Sequence, residues 1–189
     1  EPLRRIAHDI LVGGVLLERL RHHEVPELAV LVEVLHLHVD DVRRFEGGLG
    51  YRIDRYDHSL QTATRALRDN ARIDMVVAAL LHDVGDVIAP ANHSELAAAI
   101  LEPYVDAETT WVVRHHGVFQ GYHYWHKLGL DRDSREIYRG SPYFDAAAHF
   151  CAEWDQTAFD PDYDTLPLEF FEPMVREVFA RPASGFGTE

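Results

Sequence analysis

The stretch Ala78-Ala79-Leu80-Leu81-His82-Asp83-Val84-Gly85 decides how this chain is read. Its apolar residues continue from Met75 and Val76 and predict a helix buried on most sides. The helix then meets an adjacent imidazole and carboxylate. Left buried and unpaired, the two groups would cost several kcal/mol, so they need partners. A divalent metal supplies one, because neutral imidazole and carboxylate are both good ligands and an acid can bridge two ions. A His–Asp hydrogen-bonded pair at a helix end is the competing reading, and the dipeptide alone does not separate them.

Outward from this point the periodicity is helical. Leu3, Ile6, Ile10, Leu11, Leu17 and Leu20 form a stripe interrupted by Gly13-Gly14, and Pro26 opens a second helix running to Phe45. Gly47-Gly48-Leu49-Gly50 breaks the chain in a hinge or loop. A third helix is predicted from Asp57 to Leu67, and a fourth capped by Asp74 and ended by Gly85 in a left-handed conformation. Asn92 is the expected cap for a helix over Ser94 to Leu101, and Asp106 starts the next one, toward His116. Ser141-Pro142 signals a helix from Phe144 to Phe159, residues 160–164 a loop, and Leu168 to Phe179 a last amphipathic helix. No alternating β pattern of useful length occurs. The expectation is an all-α helical bundle: an N-terminal helical segment over 1–46, a metal-binding domain over 47–182 and a flexible tail over 183–189.

Composition narrows the partners. The chain has 189 residues, 18 Lys+Arg against 32 Asp+Glu, and a net charge of −14, which argues against nucleic acid and anionic membranes. One cysteine, Cys151, excludes an internal disulfide and a thiolate-rich metal site. With no long apolar run and no signal-peptide pattern, a cytoplasmic protein is expected, as a monomer or small homo-oligomer. Histidine is in excess, at 13 residues.

Several of those histidines fall on other predicted helices beside apolar residues, as a site inside a helical bundle requires. His58 stands in Asp57-His58-Ser59-Leu60-Gln61-Thr62-Ala63, His93 at the start of the next helix, and His115-His116 on the one after. Asp155 follows in Glu153-Trp154-Asp155-Gln156.

This ordered set resembles the HD superfamily of metal-dependent proteins over roughly residues 50 to 160. The superfamily pattern H…HD…D matches His58, His82-Asp83 and Asp155, and two further histidines mark dinuclear members. The resemblance implies a first metal on His58, His82, Asp83 and Asp155. It implies a second on His93 and His116, with Asp83 bridging; His115 is the alternative to His116. The absence of a His-His-Glu…Gly-Tyr-Pro signature argues against the cyclic-dinucleotide phosphodiesterase branch.

The context of His58 and the Trp154-Asp155 pair resemble the mixed-valent diiron oxygenases, including phosphonate-cleaving members and, more distantly, myo-inositol oxygenase. That resemblance implies two iron ions, O2 and a small hydroxylated or amino-containing substrate. It places Asp83 in catalysis, together with Tyr51, near the position of a tyrosine that covers the open iron site in these relatives. Tyr51 also reads as an ordinary packed aromatic. Where phosphonate-cleaving members carry lysines for the anionic group, this chain has Gln120 and Phe159, which argues against a phosphonate substrate.

Gln120, His123, His126, Lys127 and Arg132 are the candidate substrate-binding residues, in an aromatic-rich segment that continues past His116. Arg135 and Arg139 belong to the same basic group, which also reads as a solvated charge cluster. Two other functions compete. One is a metal-dependent phosphohydrolase using Mn, Co or Mg, with Arg114, Lys127 or Arg132 gripping phosphate. The other is a metal-free binding module, which the full set of ligands disfavours.

Overall fold

The computed structural model describes residues 53–86 and 89–184. The helices expected before Phe45, the glycine run, Tyr51 and residues 185–189 lie outside the described residues.

The first described helix, α1 (Arg55–Arg68), begins where the Asp54 carboxylate accepts the Asp57 N–H at 2.8 Å. Its inward face carries His58, Leu60, Gln61, Thr62 and Ala63. Helix α2 (Ile73–Leu81) is buried continuously from Met75 to Leu81, as expected of a helix that is apolar all round. It packs on α1, and its other neighbours are introduced below.

Two expectations for α2 are corrected. Asp74 lies inside the first turn rather than at the cap, which is Arg72; its carboxylate instead holds Arg181 at 2.8 Å. Gly85 is not a left-handed terminator: α2 ends at Leu81, and the positive φ angles among the described residues belong to Asn70 and Gly129. Gly85 serves by lacking a side chain. A Cβ there would sit 2.9 Å from Leu96 Cδ2 and 3.1 Å from His93 Cα. The turn after α2 can therefore lie directly against the next helix.

That helix is α3 (His93–Leu101), with Asn92 at the cap position but without a side-chain capping bond. Helix α4 (Ala107–Tyr124) starts as expected at Asp106, whose carboxylate accepts the Thr109 N–H at 2.8 Å. A 3-10 turn over Trp125–Leu128 follows, closed by Gly129 at φ 74°. A second 3-10 segment, Arg132–Tyr138, packs back on α4.

Helix α5 (Phe144–His149) departs from the single helix expected to Phe159. It passes into a π-helical stretch, Phe150–Asp155, closed by Gln156 N–H donating to Cys151 C=O at 2.9 Å. Ser141 caps the preceding turn, its hydroxyl accepting the Tyr143 N–H at 3.2 Å. Helix α6 (Leu168–Phe179) has the expected limits and carries Pro173 inside it.

Helix α2 is central, in contact with α1, α4 and α6, while the π stretch lies against α1, α4 and α5. The chain remains tied down beyond α6: Ser184 N–H donates to Pro103 C=O at 2.8 Å. The described residues contain no strand, in keeping with the all-α expectation. None of their helices is long and apolar enough to cross a membrane.

Candidate metal centre

The site forms where the C-terminal end of α2 meets α1, α3, α4 and the π stretch. His82 is the residue after α2 and is fully buried; His58 on α1, His116 on α4 and Asp155 on the π stretch are buried as well. A π turn is wider than an α turn and shifts the facing of residues beyond it. Within this stretch neighbouring residues take different partners. Trp154 donates Nε1 to Asp69 at 3.0 Å, and Asp155 Oδ1 lies 3.3 Å from His58 Nε2.

The four histidines share one hydrogen-bonding arrangement. Each directs Nδ1 at a backbone carbonyl: His58 at Ala158 (3.0 Å), His82 at Ala79 (2.9 Å), His93 at Pro90 (3.0 Å) and His116 at Val113 (2.7 Å). A carbonyl only accepts, so Nδ1 carries the proton and the neutral ring presents a bare lone pair at Nε2. These lone pairs converge in two pairs. His58 Nε2 and His82 Nε2 are 3.3 Å apart, and His93 Nε2 and His116 Nε2 are 3.2 Å apart.

Asp83 lies between the pairs. Its Oδ2 is 3.4 Å from His82 Nε2 and 3.7 Å from His58 Nε2. Its Oδ1 is 3.2 Å from His116 Nε2 and 3.5 Å from His93 Nε2. Asp155 Oδ1 closes the first group, 3.8 Å from His82 Nε2. Facing acceptors repel unless a cation lies between them, and carboxylates on both sides add to that demand. Two nitrogens each about 2.0–2.1 Å from one ion lie about 2.9–3.4 Å apart at octahedral to tetrahedral angles. Both observed nitrogen separations fall in that window, so the donor set fits metal ions. His58, His82 and Asp155, and separately His82, Asp83 and His116, bring ligand atoms within 4.8 Å of one another.

The electrostatics show a strong demand for positive charge among these groups. Burial disfavours a charge on His82 and holds its pKa below the ordinary imidazole range. At His58 and His116 burial also opposes the cation, but the Asp155 and Asp83 carboxylates outweigh it and raise the pKa. Burial opposes the Asp83 anion too, yet the surrounding histidines hold it well below the usual carboxylate range. Asp83 is thus kept ionised, as a ligand must be.

Further contacts brace the donors. Phe159 stacks on the His58 ring, with centroids 4.4 Å apart. Gln61, one turn after His58, donates Nε2 to Asp160 C=O at 2.9 Å and accepts the Asp160 N–H at 3.1 Å. The segment that supplies Asp155, the Ala158 carbonyl and Phe159 is thereby fastened to α1. Sequence reading named Gln61 only as motif context; a buried amide on an apolar helix face was the available signal. Gly117 leaves room for α3, since a Cβ there would meet Ser94 Oγ at 3.0 Å.

The other expected residues divide. His115 turns away from the centre, its ring stacked on Trp111 at 4.1 Å and its Nδ1 2.8 Å from Trp111 C=O. Gln120 reaches the centre, its Nε2 3.3 Å from Asp155 Oδ1 and 3.2 Å from Gln156 Oε1. His123 is half-buried, with its pKa lowered by burial and by Arg135. Arg132 lies over Tyr122. His126 and Lys127 are exposed on the 3-10 turn, with no polar contact to the six donors. Cys151 is buried, its thiol pushed well up by burial, and does not act as a ligand atom in either group.

No curated protein matches the chain significantly. The HD domain family model matches residues 55–157, more than half the chain and the whole span from α1 through Asp155. With the histidines and aspartates of that pattern gathered at one point, the chain belongs to the HD-domain family.

Proposed function

We propose that this protein is a diiron oxygenase of the HD family, acting with O2 on a small hydroxylated or amino-containing substrate. The split of Asp83 between two histidine pairs, Oδ2 toward His58 and His82 and Oδ1 toward His93 and His116, carries the two-ion part of the reading. The resemblance of the His58 and Trp154-Asp155 contexts to the diiron oxygenases carries the choice of iron and O2. In this reading His58, His82 and Asp155 hold one ion, His93 and His116 the other, and Asp83 both. A mixed-valent iron pair would supply a Lewis acid for a substrate oxygen or nitrogen and the electrons for O2 chemistry.

The protein's own part is positioning and shielding. The carbonyls on Nδ1 fix ring orientation and tautomer, which raises ligand quality. Phe159 covers the His58 side with an apolar face, and Gln120 keeps one buried oxygen, Oε1, without a hydrogen-bond partner. That oxygen accepts a hydrogen bond from a substrate hydroxyl or amine beside Asp155.

The phosphohydrolase reading is weaker because of its grips. Arg114 holds Glu95 at 3.2 Å and Glu102 at 3.0 Å, Lys127 is exposed, and Arg132 lies over Tyr122, further along α4 than His116 and not beside the donors. No lysine or arginine is paired with any of the six donors among the described residues. Iron analysis with low-temperature EPR of aerobically prepared protein tests the choice. A spin-coupled mixed-valence signal that sharpens with substrate is expected. Phosphate release with manganese or cobalt and no such signal would overturn it.

A further inference from the structure

Helix α4 does more than supply His116. Residues 116, 120 and 123 recur on one face of it, so a continuous stripe runs from the metal centre through Gln120 to His123. The 3-10 segment Arg132–Tyr138 packs on α4. Its two arginines place their guanidinium carbons 4.0 Å (Arg132) and 3.5 Å (Arg135) from the centre of the Tyr122 ring. Stacking of this kind fixes the guanidinium and leaves its edge free to donate.

The polar atoms here are unmet. Among the described residues six buried side-chain nitrogen or oxygen atoms lack a hydrogen-bond partner, and four belong to this place. They are Gln120 Oε1, His123 Nε2, Arg132 Nε and Arg135 Nε. Arg135 is only 13% exposed, and its nearest acid is Glu136, with Oε1 3.8 Å from Nε. That carboxylate is committed elsewhere, accepting from Arg139 Nε at 2.8 Å and Nη2 at 2.7 Å. Arg132 forms no ion pair among the described residues. In a chain with 32 acids against 18 bases, two adjoining arginines whose Nε atoms are hydrogen-bonded to no carboxylate call for an anion from outside.

We infer that Arg132 and Arg135, with His123 beside them, form a binding site for an oxyanion, the carboxylate or phosphate end of a substrate whose other end reacts at the metal centre. This rests on the oxygenase reading only for what happens at the far end. The rise from His116 to His123 is about 10 Å, so the ligand is a short chain that carries its anion at one end and its reacting group near Gln120. Guanidinium groups suit either anion, because both offer paired oxygens to a planar fork.

Isothermal titration of the full chain as isolated, with inorganic phosphate and separately with succinate, tests the site. Binding of at least one probe is expected, weakened about tenfold or more in Arg132→Gln and in Arg135→Gln. Arg176→Gln, on α6, should bind like wild type, and Arg135→Lys should recover part of the loss. The tighter probe identifies the anion. Circular dichroism spectra matching wild type establish that each variant is folded. No binding of either probe, or equal binding by wild type and both glutamine variants, overturns the proposal. A failed iron or EPR result leaves this outcome untouched, since the readout is binding and the variants leave the six donors intact.

Discussion

His58 and His82 face each other through Nε2 atoms 3.3 Å apart, each with Nδ1 already committed to a backbone carbonyl. Neither nitrogen is placed to donate to the other, so their approach is explained by a cation held between them and Asp155. His93 and His116 repeat the arrangement on the other side of Asp83.

The two halves differ in accessibility. The side chains of His58 and His82 are 4% and 0% exposed, whereas that of His93 is 22% exposed. His93→Ala is therefore expected to lose one ion and retain the ion on His58, His82 and Asp155. Metal content by plasma mass spectrometry checks this; loss of both ions to the same extent would count against two separable positions.

Gln61→Ala removes both hydrogen bonds to Asp160 and leaves that peptide's N–H and C=O without these partners. A loss of about 1–3 kcal/mol is expected in urea unfolding. Metal affinity should fall as well, because the same segment carries Asp155 and Ala158. Unchanged stability and affinity would show that the segment is held by other contacts.

Asp106 caps α4 and pairs with Arg72. Burial opposes its ionisation, but the Thr109 N–H and Arg72 prevail and lower its pKa from 3.8. The sign follows: its stabilisation is fully present above about pH 4, the unfolded value, and is lost as pH falls through the lower folded value. Asp106→Ala should cost about 1 kcal/mol at neutral pH. The gap between wild type and variant should close toward pH 2; a gap constant with pH would contradict the role of the ionised carboxylate.

Cys151 is buried, donates its thiol to His116 C=O at 3.4 Å, and has its pKa pushed up by burial. Thiol reagents should leave it unmodified in the native chain and label it only in denaturant. Rapid labelling of the native protein would refute this environment.

Much of this architecture was legible in sequence because it depends on local signals. The limits of α6, the Asp106 cap and the buried run of α2 follow from periodicity and capping residues. Asp74 failed as a cap because its carboxylate has a long-range partner, Arg181, that no local pattern marks. Gly85 was misread for the same reason: the crowding that requires glycine comes from Leu96 and His93 on another helix. The π stretch was invisible, since one altered turn leaves the apolar spacing nearly unchanged. At the site, motif order brought out His58, His82, Asp83, His93, His116 and Asp155. The bracing by Gln61 and the unmet nitrogens of Arg132 and Arg135 arise only when distant segments meet.

The most direct measurement is the metal content of wild-type protein beside Asp83→Ala, both folded by circular dichroism. Wild type should carry two ions per chain, and Asp83→Ala should lose both, because one carboxylate serves the two histidine pairs. Full occupancy of both positions in Asp83→Ala would contradict a centre bridged by Asp83.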